Sequence, residues 1–370
     1  MKSSTPDVAV IGAGIIGTST AWRLAQAGCR VAILDAGSMG GEASWAGAGM
    51  LAPGGEIATR SPWADFALES LGLYRRFVEE LRDESGREID YQERGAVEVA
   101  FTAAEWDRLQ ARAAAQSAIG IASEPLDTGG LRELIPLCER DFAGARYFPA
   151  DALVDPRDVN FALRSACTRR GVEIHERRRV TAVRCDRASV EIETGAGRLT
   201  AACAVIAAGA WSGGIPVRRQ EERITIPESF PVKGHLLGYR LEPGSLGPIL
   251  RHTETYLLQR AHGLAIAGSS VERVGFDRGI DADVVAEIHR RACEVLPCLQ
   301  NAPPPDPWIG FRPATDGFEP EIRRIPDSRL WLAYGHYRNG ILLAPATARR
   351  VSGEIIASLE TDSTSSGASR

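Results

Sequence analysis

A glycine-rich turn between two short apolar runs lies near the amino terminus and limits the folds open to this chain. The first run, Val8–Ile11, is followed by Gly12, Gly14 and Gly17, which open an alanine-rich helical stretch. The second run, Val31–Leu34, follows that stretch at once. Two apolar runs that flank one helical pattern are typical of a βαβ unit with parallel strands. The opening therefore predicts an α/β fold.

The same turn predicts a dinucleotide site. Its glycines permit a tight turn and close approach of the backbone to a pyrophosphate, and the helix amino terminus offers N–H groups to that anion. An acid at the end of the second run, Asp35, can accept hydrogen bonds from ribose hydroxyls. The opening alone does not distinguish FAD from NAD. The residues assigned to this contact are Gly12, Gly14, Ile15, Ile16, Gly17, Asp35 and Ala36.

Composition excludes several classes of function. The chain has 370 residues, a net charge of −5 and a pI near 5.8, which argues against a nucleic-acid partner. Its cysteines and histidines lack metal-ligand spacing, so we expect no metal. No apolar run reaches the roughly 20 residues of a membrane span, which predicts a soluble cytoplasmic protein with no membrane partner.

The alternation of strands and helices changes along the chain and predicts two interleaved domains. The patterns of 1–85, 150–220 and 305–360 fit a discontinuous, Rossmann-like dinucleotide-binding domain. Those of 86–149 and 221–304 are hairpin-like and fit an antiparallel-sheet substrate domain. The segment 361–370 is small and polar, so we expect a disordered tail there.

Four further stretches carry a family resemblance. They are a loop rich in small residues at 41–53, the segments 207–212 and 310–315, and a glycine turn with the start of a helix at 335–347. In this order, and together with the opening, they are similar to the D-amino-acid oxidase family, in particular its glycine oxidase branch. The resemblance covers most of the chain.

The resemblance implies that the dinucleotide is FAD. It places Asp35 on the adenosine ribose and Val180 on the adenine side. The residues that it places along the flavin are Ala43, Ser44, Ala48, Gly49 and Met50 from the loop, and His336, Tyr337, Asn339, Gly340, Ile341 and Leu342 from the last glycine turn. The sarcosine oxidase branch tethers its flavin through a cysteine near that turn. This chain has none between 335 and 344, so we expect non-covalent FAD.

Three residues are assigned to the substrate. The resemblance gives carboxylate binding to Arg312, a place beside the flavin and the substrate to Arg338, and an aromatic hydroxyl near the substrate to Tyr256. A bidentate arginine suits a carboxylate because the two planar groups match in geometry. The chain departs from the family pattern at Glu254 and at the Leu-Gln-Arg stretch 258–260, which puts the polarity of the pocket in question.

The implied activity is oxidative deamination of glycine, sarcosine or a small D-amino acid. The product imine would hydrolyse to an oxo acid and ammonia, oxygen would be reduced to hydrogen peroxide, and the imine could serve thiamine thiazole synthesis. No general base is evident, and none is needed if the neutral amine drives hydride loss. Homotetramers are frequent among relatives. Alternatives are a D-amino-acid or sarcosine dehydrogenase with another acceptor, a non-catalytic flavin-binding subunit, and, disfavoured by the last glycine turn, an NAD-dependent dehydrogenase.

Overall fold

Strands and helices are interleaved along the whole chain. The computed structural model describes residues 5–303 and 305–367. The strands are β1 (Val8–Ile11), β2 (Val31–Leu34), β3 (Met50–Leu51), β4 (Tyr91–Gln92), β5 (Ala96–Ala100), β6 (Glu124–Leu126), β7 (Gly144–Phe148), β8 (Ala152–Val154), β9 (Glu173–His175), β10 (Val180–Cys185), β11 (Val190–Thr194), β12 (Gly197–Ala201), β13 (Cys203–Ile206), β14 (Val217–Arg219), β15 (Glu222–Ile224), β16 (Phe230–Arg240), β17 (Ile249–His252), β18 (Thr255–Gln259), β19 (Leu264–Gly268), β20 (Asp306–Ala314), β21 (Glu321–Arg324) and β22 (Leu330–Tyr334). The helices are α1 (Ile15–Gln26), α2 (Ala43–Ala46), α3 (Pro53–Glu56), α4 (Pro62–Ser85), α5 (Ala103–Ser117), α6 (Thr128–Leu134), α7 (Pro156–Arg169), α8 (Ala282–Val295) and α9 (Gly340–Gly367).

A six-stranded sheet contains the predicted opening. Its order is β21-β22-β13-β1-β2-β9, and all neighbours are parallel except β21. Val8 pairs with Val31 in parallel register across β1 and β2, which confirms the βαβ unit. Alternate residues of β1 face two cores: Val10 packs towards the helices, and Ile11 packs towards a second sheet. Burial on both faces explains why the strand is an unbroken apolar run.

An eight-stranded sheet forms the other large layer. Its order is β20-β16-β19-β18-β17-β5-β7-β6, antiparallel except between β17 and β5. We predicted that the dinucleotide-binding domain resumes at 305, but β20 joins this sheet instead. The reason is long-range pairing: β20 lies antiparallel to β16 along its whole length, from Asp306 opposite Gly238 to Ala314 opposite Phe230. A domain boundary predicted from the local sequence pattern cannot take such long-range pairing into account.

Two smaller sheets complete the layers. The five-stranded sheet β12-β11-β10-β14-β15 packs against the six-stranded sheet, and β3, β8 and β4 form a three-stranded sheet. The strand β15 lies beyond the boundary predicted at 220, yet its hairpin with β14 keeps it with the five-stranded sheet. With this change and that of β20, the division into two interleaved domains stands as our proposal.

Helix ends follow local sequence signals. The helix α4 begins with Ser61, whose side chain accepts a hydrogen bond from the Ala64 N–H, and it ends at Gly86 in the left-handed conformation. Helix α9 continues to Gly367, through part of the segment expected to be a disordered tail. A helix already formed extends at little cost per residue, which explains this difference. Residues 368–370 of the expected tail lie outside the described residues.

Candidate active site

A cavity of about 990 Å3 lies where four parallel strands end. Gly12 follows β1, Asp35 follows β2, Ala207 follows β13 and Gly335 follows β22, and all four residues line it. The opposite wall comes from the eight-stranded sheet, through side chains such as Tyr256. Open α/β sheets bind ligands at this edge because the loops diverge there. The cavity is therefore the candidate active site.

Close backbone contacts require two of the opening glycines. Gly12 has a φ of +109°, and a Cβ at this position would lie 2.3 Å from the carbonyl oxygen of Ala207. At Gly17, a Cβ would lie 2.0 Å from the carbonyl oxygen of Gly12. Gly12 lines the cavity, whereas Gly17 does not. We assigned Gly17 to the cofactor; in the structure it lets α1 pack closely on the turn, and a contact with the cofactor stays a prediction.

Asp35 and Ser44 fix the turn from two sides. Asp35 Oδ2 accepts a hydrogen bond from the Ala13 N–H at 2.7 Å, and its Oδ1 accepts one from the Gly37 N–H at 2.7 Å. Ser44 Oγ accepts from the Ile15 N–H at 2.9 Å and so caps α1. Each carboxylate oxygen keeps a further lone pair. Asp35 can therefore still accept bonds from ribose hydroxyls.

The loop after α2 is held from behind by a buried arginine. Gly49 has a φ of +82° and passes so close to Val154 that a Cβ would lie 2.0 Å from its carbonyl oxygen. Arg260 donates to the Val154 carbonyl at 2.7 Å and also to the Ala48 carbonyl. Asp155 lies 3.5 Å from Arg260 Nε, and burial lowers the pKa of the guanidinium. Arg260 thus ties the loop to the end of β8.

This role changes the meaning of the departure from the family pattern. The three residues at 258–260 do not line the cavity, so their polarity does not act on the pocket directly. Glu254 does line it, but its side chain is 89% exposed and so lies at the rim.

Strand β20 connects the loop to the substrate end of the cavity. Trp308 Nε1 donates a hydrogen bond to the Ala46 carbonyl at 2.9 Å. A Cβ at Gly310 would lie 2.6 Å from the Cβ of Ala46. Arg312 lies two residues after Gly310 and therefore on the same face of β20. One strand therefore contacts the loop and carries the principal arginine.

The last glycine turn supplies a third part of the wall. His336 is buried, its Nε2 lies 3.0 Å from Thr347 Oγ1, and burial lowers its pKa to about 3, so the ring is neutral near pH 7. Leu342 was assigned to the cofactor but does not line the cavity. It is buried in the core, and its carbonyl accepts a hydrogen bond from Ser70 Oγ at 2.7 Å. Leu342 comes directly after Gly340 and Ile341, the two residues of α9 that line the cavity.

Arg312 is held in place at the substrate end. Its Nη2 donates to Ser269 Oγ at 2.8 Å and its Nη1 donates to the Ser270 carbonyl at 3.0 Å. A Cβ at Gly234 would lie 2.3 Å from Nη1, so only glycine leaves room for the guanidinium. Burial lowers the pKa of Arg312, but from a value so high that the group stays charged.

Tyr256 and Arg338 lie at the same end. Tyr256 is buried across Gly268, and this burial raises its pKa, while the charges of Arg312 and Arg338 act in the opposite direction. Arg338 is a third exposed, and its Nε lies 3.4 Å from Glu56 Oε1. Two cations and a phenol thus converge, with one carboxylate beside them.

The cavity gathers nearly all the predicted site residues. Besides those described above, the predicted residues that line it are Gly14, Ile15, Ile16, Ala36, Ala43, Ser44, Ala48, Gly49, Met50, Val180, His336, Tyr337, Asn339, Gly340 and Ile341. Their assignment to individual groups of a cofactor stays a prediction.

Several lining residues were missed. Glu56 lies three residues past the loop at 41–53, so a longer stretch would have included it. Arg178 and Arg179, which precede β10 in a run of three arginines, also line the cavity wall. Ser269 and Arg251 enter through strand pairing, for which the local sequence has no signal.

Other classes of site are absent from the part of the chain that the structure describes. There, no group of three or more His, Cys, Asp or Glu side chains is placed to hold a metal ion. None of the helices formed by residues 5–303 and 305–367 is long and apolar enough to cross a membrane.

Comparisons with known proteins agree with this geometry. Glycine oxidase from Geobacillus kaustophilus is 34% identical over 92% of this chain and 90% of its own. A solved structure of glycine oxidase from that organism superposes with a TM-score of 0.89 at 32% identity, over 96% of this chain and 95% of its own. The bifunctional protein ThiO/ThiG of Synechocystis sp. is 33% identical over 95% of this chain but 52% of its own length.

The predicted α/β fold, with a Rossmann-like part that binds FAD and an antiparallel sheet, is confirmed by that superposition. The family model described as "FAD dependent oxidoreductase" (DAO) matches residues 7–353, nearly the whole chain. The chain therefore belongs to the DAO family of FAD-dependent oxidoreductases.

Proposed function

We propose that this protein is an oxidase that deaminates glycine or another small amino acid, such as sarcosine or a small D-amino acid. The overall reaction would consume the amino acid, oxygen and water, and would release an oxo acid, hydrogen peroxide and ammonia, or methylamine in place of ammonia when the substrate is sarcosine. The single observation that carries this proposal is the convergence of Arg312, Arg338 and Tyr256 at one end of a cavity whose other end is a dinucleotide cradle.

The cradle fits FAD on structural grounds. Gly12 leaves the backbone bare where a Cβ would clash, and Asp35 retains acceptor capacity towards ribose. The amino end of α9, at Gly340 and Ile341, lines the cavity, and the positive end of a helix dipole favours negative charge. None of the described residues that line the cavity is a cysteine, which supports non-covalent binding. When bound, FAD supplies the acceptor for the hydrogen removed from the substrate Cα.

The residues of the chain have the task of holding the substrate. Arg312 would bind its carboxylate through both Nη groups, and the bond to Ser269 keeps the guanidinium from rotating. Tyr256 would donate its hydroxyl hydrogen to the same carboxylate, since its raised pKa keeps that hydrogen in place. Tyr256 is buried and Arg312 is partly buried, and the reduced contact with water strengthens these interactions. A substrate fixed in this way needs no protein base if it reacts as the neutral amine.

The electron acceptor and the physiological setting belong to the proposal too. Oxygen is favoured by the similarity to glycine oxidases, and a dehydrogenase with another acceptor is the alternative. Similarity to the ThiO/ThiG protein supports supply of the imine for thiamine thiazole synthesis. We further propose a cytoplasmic location and a homotetramer, and light scattering on the purified protein would test the assembly.

The test is an anaerobic titration of the purified flavoprotein with glycine, sarcosine and D-alanine. We expect bleaching of the flavin by at least one of them, followed by peroxide formation when air is admitted. Bleaching without reoxidation by oxygen would instead support the dehydrogenase. If none of the three amino acids bleached the flavin, the proposed function would be wrong.

A further inference from the structure

A second buried arginine lies next to Tyr256 on the wall of the same cavity. Arg251 on β17 pairs directly with Tyr256 on β18, and Tyr256 pairs with Gly268 on β19. Directly paired residues of antiparallel strands project from the same face of the sheet. Arg251 therefore lies on the substrate face, one strand beyond Tyr256, and it lines the cavity.

Only part of this guanidinium is occupied by protein groups. Arg251 Nη1 donates to Asp151 Oδ2 at 2.7 Å, and Nε lies 3.5 Å from Glu98 Oε2 without a hydrogen bond. Nη2 is buried and has no hydrogen-bond partner among the described residues. The residue as a whole is 6% exposed. A buried N–H group without an acceptor is costly, and a ligand acceptor would remove that cost.

The surroundings leave room for the arginine and balance its charge. A Cβ at Gly55, within α3, would lie 2.8 Å from Nη1. The glycine therefore leaves the space that the guanidinium needs to reach the cavity wall. Glu98 is also bonded to Arg112, which makes a group of two cations and two carboxylates. The group holds no excess negative charge that would repel an anionic ligand.

We propose that Arg251 binds a second acidic group and so determines substrate specificity. This inference rests on the proposed oxidase function. The substrate class is amino acids with a second carboxylate, held at one end by Arg312 and at the other by Arg251, with Tyr256 between them. Arg312 bonds Ser269 just past β19, and two strand spacings, about 10 Å, separate β19 from β17. The second acid is therefore carried on an extended side chain or nitrogen substituent, as in D-glutamate or N-carboxymethylglycine.

The test uses acids without an amine, which bind but cannot be oxidised. The holoenzyme is titrated with acetate and with glutarate, and the shift of the flavin absorbance gives each dissociation constant. We expect glutarate to bind at least about tenfold more tightly than acetate, as one added charge-assisted bond implies. Equal affinities for the two acids would overturn the inference, whatever any variant does.

Two matched variants separate recognition from structure. Arg251→Lys keeps a cation beside Asp151 but loses Nη2, so we expect the preference for glutarate to disappear. Arg112→Lys alters the same group of charges without reaching the cavity and should retain the preference. An equal loss in both variants would show a structural effect and contradict the proposal.

Turnover provides an independent readout. The ratio of kcat/KM for D-glutamate to that for glycine should fall in Arg251→Lys and stay constant in Arg112→Lys. Because acid binding needs no reaction, a protein that prefers glutarate yet oxidises no amino acid would refute the proposed function and not the acid site. A protein that oxidises glycine but shows no preference for glutarate would refute the site alone.

Discussion

The guanidinium of Arg312 lies against the backbone of Gly234, where a Cβ would come within 2.3 Å of Nη1. The two residues sit on neighbouring strands, β20 and β16, where Gly234 pairs with Gly310, two residues before Arg312. A glycine at this place is therefore a condition for the orientation of the arginine, which in turn is bonded to Ser269.

Replacing this glycine should impair the proposed substrate site without loss of the fold. We expect Gly234→Ala to lower kcat/KM for glycine on the order of 100-fold, because a shift of about 1 Å in a positioning group costs that much. Steady-state peroxide assays and flavin content provide the measurement. The control is Gly72→Ala in α4, where none of the described atoms outside the local helix backbone lies within 4 Å of the added Cβ. Unchanged kinetics in Gly234→Ala would show that Arg312 does not hold the substrate.

Gly12 and Gly28 form a matched pair for the cofactor cradle. Both have positive φ, but a Cβ at Gly12 meets the Ala207 carbonyl, whereas none of the described atoms lies within 4 Å of a Cβ at Gly28. Gly28→Ala should cost only about 1–2 kcal/mol of backbone strain. Gly12→Ala should add the clash and release FAD. Thermal unfolding and the absorbance at flavin wavelengths measure both effects, and equal flavin retention in the two variants would contradict this role.

His336 should make the folded state sensitive to acid. Its pKa is about 3 in the folded chain and near 6.5 when exposed, so below pH 6.5 the unfolded state binds the proton more readily. The contribution of His336 to the free energy of unfolding is therefore fully present above pH 6.5 and is lost progressively as the pH falls towards 3. Between pH 6.5 and 4.5, protonation of His336 should lower the free energy of unfolding by about 2–3 kcal/mol.

Urea unfolding at these two pH values, in wild type and in His336→Gln, measures that loss. The variant should lose less stability on acidification than wild type. His262→Gln, at an exposed histidine, serves as the control. An acid response in His336→Gln as steep as that of wild type would refute the assignment.

Arg260 should matter for flavin retention although it does not line the cavity. Arg260→Leu removes the bonds to the Ala48 and Val154 carbonyls and leaves Asp155 buried without its cation. We expect a loss of about 3–5 kcal/mol in the free energy of unfolding and weaker FAD binding. Calorimetry and equilibrium dialysis measure these quantities. Arg187→Leu, from an exposed pair with Asp327, should change neither.

Local signals in the sequence predicted the opening unit correctly. Its turn is encoded by Gly12 and its helix by an apolar periodicity, and both act over a few residues. Leu342 was assigned together with its neighbour Ile341 but does not line the cavity, because adjacency in sequence does not reveal which side of α9 a residue faces. Arg251 was missed because its place depends on pairing with Tyr256 across a hairpin. The pairing of β20 with β16 was not predicted for the same reason, because the two strands are distant in sequence.

The contacts of β20 have a consequence for how such enzymes diversify. Trp308 holds the loop at Ala46, and Arg312 lies four residues along the same strand, so a short stretch of extended backbone sets the separation between the two. That separation sets the distance between the loop and the arginine proposed to bind the substrate carboxylate, so we expect it to tolerate little change. Strands β17 and β18 are not part of this stretch of β20. We therefore expect new substrate preferences to arise there, around Arg251, while the chemistry is inherited intact.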